Sequence, residues 1–382
     1  MLMMSTAKVP QNWFEKRTDD RVRLYFENDD PVSRPSGTIF QYDSSGSFVL
    51  CALVERITGM SFIDYMREKL FDKIGISKEA YCLKCPGGHS WGDSALLCTA
   101  RDLLKFARFV MNKGSWDGEQ ILNEKYLTEA TGKMIDNNVS GFETFNSQGY
   151  GYQIWRTYQN SFSFNGMGCQ YAICVPDKDL ILVYNGDNQG KDHTKHIIFD
   201  KFFEIIVDSV QDKALPDDPK AQKELADYTA DLKLASAVGE RQSAFADEIN
   251  GVTYKMNCNP MGITRIRLVF DGDKGRLEYT NDQGDKTLYF GICKNEFGIF
   301  PQEGYSDEVG SVRTKNMFYQ CAASAAWIEP QKLFIKVQII DKYFGTLNIN
   351  LGFIQNKVGI FMNKCAEDFL SEYEGYATGI RE

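Results

Sequence analysis

The stretch that most constrains this chain runs from Pro35 to Gly59, PSGTIFQYDSSGSFVLCALVERITG. A Pro/Ser/Gly turn leads into Tyr42 and a cluster of small polar residues. An apolar run long enough for a helix follows, and Gly59 is placed to stop it. Asp43 or Ser44 is the expected N-cap, with Leu50, Val54 and Ile57 as the expected buried stripe. A helix start offers unpaired amides and partial positive charge, which can hold a phenolate or a developing oxyanion. The same pattern also suits an ordinary capped helix, so the residues alone leave both readings open.

Residues 35 to 76 resemble the tyrosine motif and following helix of the β-lactamase-related serine hydrolases, the group of class C β-lactamases and penicillin-binding proteins. The resemblance runs through Tyr42-Asp43-Ser44, where that family has Tyr-x-Asn, to Ile57-Thr58-Gly59. A second helix from Phe62 to Phe71 then reaches Lys73-Ile74-Gly75-Ile76, where the family reads Pro-Leu-Gly-Met. It implies an α+β, β-lactamase/transpeptidase-like antiparallel sheet flanked by helices. It also implies cleavage of an ester or amide through an acyl-enzyme, with Tyr42 shuttling protons and Ser44 replacing the family's Asn as a hydrogen-bond partner for substrate. Ser44 has a shorter reach than Asn, which implies a substrate preference of its own.

The nucleophile of that family is a Ser-x-x-Lys on a helix, so that the amine can take the hydroxyl proton. The only such tetrad in this sequence is Ser5-Thr6-Ala7-Lys8. Val9-Pro10 follows it, and proline disfavours helical geometry at the residue before. Leu2 to Ala7 instead resemble the family's Leu-Leu-x-Met-x-Thr-Gly segment, which lies between the nucleophile helix and the tyrosine motif. Ser5 and Lys8 are therefore a weak nucleophile pair. The resemblance places the nucleophile helix upstream of Met1, leaving the sheet incomplete at its N-terminal side. The alternative is a catalytically inactive homologue that binds a peptide, a glycan or a partner.

Further along, Thr99 is an expected N-cap with Asp102 completing a capping box, and Leu103, Leu104, Phe106, Ala107 and Val110 as the buried side. Residues 149–155, 161–164, 171–175 and 180–184 read as antiparallel strands. Phe164-Asn165-Gly166-Met167 falls where the family carries Lys-Thr-Gly or His-x-Gly. By that resemblance Asn165, Gly166 and Met167 bind substrate and oxyanion, the Met167 amide being the second oxyanion donor. Phe164 stands where a cation is usual, which counts against recognition of a substrate carboxylate. Gly166 to Gly168 also suit a plain tight hairpin. A helix from Ile197 to Val207, burying Ile197, Phe199, Phe202, Phe203 and Ile206, should close this domain.

Cys82, Cys85 and His89 have a metal-like spacing, but no second pair completes four ligands, and His193 and His196 lack an accompanying carboxylate. No metal and no cofactor are expected. The ten cysteines follow no framework and read as reduced core residues of a cytoplasmic protein. Trp13 and Phe14, with Tyr25 and Phe26, mark a rim segment. A net charge of −9 argues against nucleic-acid or membrane-surface partners. The opening residues have no basic leader and no adequate apolar core, so no signal peptide is expected, and the sequence has no run of about 18 apolar residues. A small-molecule or peptide substrate is the expected partner, with homo-oligomerisation open.

At 382 residues two domains fit. The expected division is residues 1–212 for the hydrolase-like domain, 213–248 for a linker and helical stalk after the Pro- and Asp-rich break at Asp212 to Pro219, and 249–382 for an antiparallel barrel or sandwich of eight short strands. That last part resembles the lipocalin-like domain appended to some β-lactamase-related hydrolases.

Overall fold

The structure is a computed structural model that describes residues 1–8, 20–27, 33–85, 87–138, 143–188, 194–305, 313–342, 344–365 and 370–382. Trp13, Phe14 and His193 lie outside them. The chain divides into two compact units, with the break between Lys213 and Ala214.

In the first unit, helices α1 (Arg21–Glu27), α2 (Ser44–Thr58), α3 (Phe62–Met66), α4 (Ala100–Met111) and α5 (Glu124–Ala130) precede the main sheet. Two short ladders lie among them, β1 (Tyr81–Cys82) with β2 (Leu96–Leu97) and β3 (Ser115–Trp116) with β4 (Glu119–Gln120). The sheet is four-stranded and antiparallel: β5 (Trp155–Arg156), β6 (Phe162–Asn165), β7 (Gln170–Val175) and β8 (Leu180–Asn185), in that order. Helix α6 (Lys195–Lys201) follows.

The sheet is covered on both faces. Phe162, Ala172 and Cys174 pack with Ala107, Phe109 and Val110 of α4 on one side. On the other, Tyr171, Ile173 and Val175 pack with Phe145, Phe199, Phe202, Phe203 and Val207. Each large apolar side chain taken from water here contributes about 1.5–3 kcal/mol.

Several expectations shift by a turn or a face. Helix α2 starts and stops as read, its C-cap Gly59 in the left-handed region at φ 69°. Its buried residues, however, are Ser45, Gly46, Phe48, Val49, Cys51 and Ala52, while Ile57 is 75% exposed. The run is apolar on nearly every side, so the sequence carries little directional signal. The closing helix is α-helical only to Lys201 and continues as a π-turn over Phe202–Ile206. Phe199, Phe202 and Phe203 are buried as expected and Ile197 is exposed; after the wider turn Val207 is buried and Ile206 is exposed. The stretch 149–154 is a tight turn before β5 rather than a strand, with Tyr150 in isolated bridges to Ile135 and Trp155, Gly149 at φ 117° and Gln153 at φ 61°.

Helix α4 is capped as expected: Thr99 Oγ1 accepts from Asp102 N, and the Asp102 carboxylate accepts from Thr99 N. Its buried set includes Phe109, while Leu104 lies outward. Asp102 also accepts from Ser77 N at 2.8 Å, tying the loop after the π-turn Arg67–Phe71 to α4.

In the second unit, helix α7 (Pro219–Ala230) has no buried residue. After α8 (Ala246–Ile249) come the strands β9 (Thr253–Met256), β10 (Arg265–Asp271), β11 (Lys274–Asn281), β12 (Gly284–Ile292), β13 (Glu296–Tyr305), β14 (Arg313–Glu329), β15 (Lys332–Ile340), β16 (Phe344–Ile354), β17 (Lys357–Cys365) and β18 (Gly375–Arg381). They form a ten-stranded sheet ordered β12-β11-β10-β9-β18-β17-β16-β15-β14-β13. It closes into a barrel where β12 meets β14, Gly291 opposite Ser324 and Ile292 opposite Ala325. Ile266 and Leu268 face inward as the alternation implies.

Two strands go beyond the eight read from sequence. In β13, Pro301 sits where the register with β14 shifts, and a proline is accommodated at such an irregularity. β18 begins and nearly ends on glycine, which hides its pattern. Within the expected linker, Ala237 N donates to Ser324 Oγ at 2.8 Å and Glu240 bridges to Trp327, so this part runs along the barrel.

Asp102 is 2% exposed, and although burial opposes it, hydrogen bonds from Ser77 and Thr99 hold its carboxyl below the ordinary aspartate value. Its stabilisation is therefore present above about pH 4 and is lost as pH falls through the lower folded-state value. Asp102→Ala should cost about 2 kcal/mol at pH 7, read from urea unfolding, and the gap to wild type should narrow in acid. A pH-independent gap would contradict this.

Candidate active site

Tyr42 is presented by an extended stretch held against the N-terminal residues. Gly37 N donates to Ser5 O at 2.7 Å and Gln41 N to Met4 O at 2.8 Å. Phe40 is buried with Met4, Tyr150 and Trp155. Across this cluster the Tyr42 ring stacks on Trp155, centroids 5.5 Å apart at 20°, and keeps 37% of its surface open. Packing around the phenol pushes its pKa up, the Asp93 carboxylate adds to this, and the Ser44 hydroxyl pulls the other way. Tyr42 is thus a neutral O–H at physiological pH, suited to donate a proton to a leaving group.

Asp43 is the N-cap of α2, yet its side chain does not bond a helix amide. The carboxylate is buried, 1% exposed, and accepts from Ser45 Oγ and from Thr6 Oγ1, the latter at 3.3 Å. A Cβ at Gly46 would stand 3.0 Å from Asp43 Oδ2, so the glycine leaves room for the carboxylate. Ser44 opens the helix beside Tyr42. One turn on, Ser47 Oγ donates to Gln153 Oε1 at 2.7 Å, and Gln153 N donates to Leu2 O at 2.9 Å.

Ser5 and Lys8 are not on a helix. Ser5 is 3% exposed, and Lys8 Nζ donates to the carbonyls of Tyr25 and Phe26, at 2.8 and 3.0 Å, near the C-terminal end of α1. The ammonium is engaged there.

Asn165, Gly166 and Met167 form the turn from β6 into β7. Gly166 N donates to Gln170 O at 2.7 Å, Gly168 N to Gln170 Oε1 at 3.2 Å and Cys169 N to Gly166 O at 3.2 Å. The Gln170 amide continues to Gly186 O. Among the described residues the Met167 amide has no carbonyl to meet, and its side chain is 53% exposed. Trp155 lies opposite Ser163 across β5 and β6, and Asn165 is two positions further along the same face. The structure thus stacks Tyr42 on Trp155, whose register partner Ser163 lies two positions before Asn165. Phe164 points the other way, packed edge-on to Phe106 at 5.5 Å.

Trp155, Gln153, Asn146 and Gln170 also shape this region. Sequence reading missed them because each acts through a contact distant along the chain, and only Trp155, an aromatic beside a Gly-rich run, carries any local signal.

Cys82, Cys85 and His89 do not converge as a ligand set: among the described residues no group of three or more His, Cys, Asp or Glu is arranged to hold an ion. Burial pushes the Cys82 and Cys85 thiols up to about 11 and about 12, away from the thiolate a metal requires, although Arg21 opposes this at Cys85. His89 Nδ1 meets Glu55 Oε2 at 2.6 Å, and Glu55 also accepts from Phe62 N and Ser90 N. All ten cysteines are free thiols; Cys258 is exposed, and Cys98, Cys293 and Cys365 are half-buried.

The beta-lactamase family profile matches residues 1–201, more than half of the chain, and the chain belongs to that family. It is 26% identical over 149 residues to the 6-aminohexanoate-dimer hydrolase of Paenarthrobacter ureafaciens, 38% of this chain and 38% of that protein, so it spans about two-fifths of that curated relative's length. Among solved structures it is similar to the octameric penicillin-binding protein homologue of Pyrococcus abyssi, at 16% identity over 99% of this chain and 77% of that one with a TM-score of 0.41. A beta-lactamase from Mycobacterium bovis shows 17% identity over 53% and 72% of the two chains with a TM-score of 0.39.

A Cβ at Gly166 would come within 2.6 Å of Gln170 Oε1 and 3.1 Å of its Cβ. Gly166→Ala should expel the Gln170 side chain from its bonds to Gly168 and Gly186, lowering stability by about 1–2 kcal/mol in urea titration. An unchanged midpoint would show that the turn has spare room.

Proposed function

We propose that this β-lactamase-family protein is a serine hydrolase acting on an ester or amide through an acyl-enzyme. Tyr42 serves as the proton-transfer group, Ser44 and Asn165 contact substrate, and Gly166 and the Met167 amide form the oxyanion side. The observation that carries the reading is a neutral, partly open Tyr42 phenol at the head of α2, stacked on Trp155 of β5, the neighbour of the strand that ends at Asn165 and turns through Met167. A tyrosine so placed can pass a proton between nucleophile and leaving group, and an unengaged amide in a tight turn can receive the developing charge. In this reading the nucleophilic Ser-x-x-Lys is not Ser5 and Lys8, because Lys8 is bonded to the end of α1.

That engagement of Lys8 also favours a second reading, in which the cleft of this chain binds a small molecule or peptide without turning it over. A fluorophosphonate probe with peptide mapping separates the two. The hydrolase reading expects no labelling of this chain and labelling of one extended by its in-frame upstream sequence, reduced at least about 100-fold in rate by Tyr42→Phe. Labelling at Ser5 would overturn the assignment of the nucleophile. Absence of labelling in the extended chain would leave the binding protein.

A further inference from the structure

The apolar stripe of α2 that periodicity assigns to the core is the one the fold leaves open. Leu50, Leu53, Val54 and Ile57 stand at i, i+3, i+4 and i+7, on one face of the helix. Leu50 and Val54 are half-buried, Leu53 is 49% exposed and Ile57 75%. Large apolar side chains gathered on one open face mark a contact surface. The helix cannot roll to bury them. Its other face is filled by Phe48, Val49, Cys51 and Ala52, and the loop at Gly92 lies so close that a Cβ there would stand 2.1 Å from Cys51 Cβ. Its head is pinned by Ser45 on Asp43 and by Ser47 on Gln153.

The first turn of the same face is covered, and what covers it points to the occupant of the rest. Gly46, four residues before Leu50 and therefore its neighbour on the helix surface, is buried, and a Cβ there would stand 3.8 Å from Met1 Cγ. Met1 is fixed at that place: its carbonyl accepts from Met4 N at 2.9 Å and from Gln153 Nε2 at 3.3 Å. Leu50 lies one turn, about 5.4 Å, further along, so a residue joined to the N-terminal side of Met1 starts within reach of the stripe. We propose that the segment preceding Met1 runs along α2 and seats an apolar face of its own on Leu50, Leu53, Val54 and Ile57. The stripe is about 10 Å long, which two helical turns span. This rests on the hydrolase reading only for the expectation that residues precede Met1; the contact itself needs no catalysis.

The test compares residues 1–382 with the chain extended by its in-frame upstream sequence. Ile57→Cys is made in both, and maleimide labelling is read by peptide mapping with the exposed Cys258 as internal reference. In residues 1–382 position 57 should label at a rate similar to Cys258, and in the extended chain at least about ten-fold more slowly. Ile57→Asp gives a second readout: the urea midpoint of residues 1–382 should not move, and that of the extended chain should fall. Equal labelling of position 57 in the two chains, or midpoints equally insensitive to Ile57→Asp, would overturn the proposal. So would protection of position 57 within residues 1–382, whether by another part of the chain or by a second copy, or a stop codon directly upstream of Met1. Fluorophosphonate labelling of the extended chain tests the hydrolase reading separately. Labelling with position 57 still open sinks this contact alone, and a protected position 57 without labelling sinks the catalytic reading alone.

Discussion

A carboxylate closed off from water must find hydrogen-bond donors or destabilise the fold that buries it. Asp43 finds them in Ser45 and Thr6. The first donor lies within α2, and the second lies in the N-terminal segment, 37 positions away. Through this one side chain the first residues of the chain are held against the head of α2. The same junction is closed by Gln41 N on Met4 O, by Asp43 N on Met4 Sδ, and by Gln153 reaching both Ser47 and Leu2. Tyr42 sits between these tethers. Its ring is placed by what its neighbour buries, since the extended residue before a helix directs adjacent side chains to opposite sides.

How far this was legible in the sequence depends on whether the signal is local. The caps of α2 and α4 are local: Gly59, Thr99 and Asp102 each act within four residues of their partners, and each was readable. The buried side of α2 was not, because Leu50, Leu53, Val54 and Ile57 are as apolar as Phe48 and Val49. Only the tertiary neighbours decide between them. The closing helix buries Phe199, Phe202 and Phe203 as read, but a π-turn over Phe202–Ile206 breaks the 3.6-residue period and leaves Ile206 outside the stripe. In the barrel, alternation found eight strands and missed β13 and β18, where proline and glycine interrupt it.

The site divides in the same way. Tyr42 and the turn at Gly166 stand beside glycine and a helix start, so their surroundings announce them. Asn146 and Asn137 stand in an unremarkable polar stretch, and only the folded chain shows that they end in Asn165. Ser5 and Lys8 show the converse: the tetrad has the right residues, but a Ser-x-x-Lys is chemistry only when one helical turn brings amine to hydroxyl. Here the amine goes to the carbonyls of α1 instead.

The two sides of β6 then bear on which side chains the strand can present. A strand alternates its side chains, so Phe164 and Asn165 cannot both face the same way. With Phe164 committed to the core beside Phe106, Asn165 faces the other side, where its register partner Tyr171 packs with Phe145 and Phe199. A cation at position 164 could not simply be restored by substitution, because the side chain there would enter an apolar layer and leave an unpaired charge among Phe106 and Phe162. The absence of a cation at position 164 is thus built into the core packing of this domain.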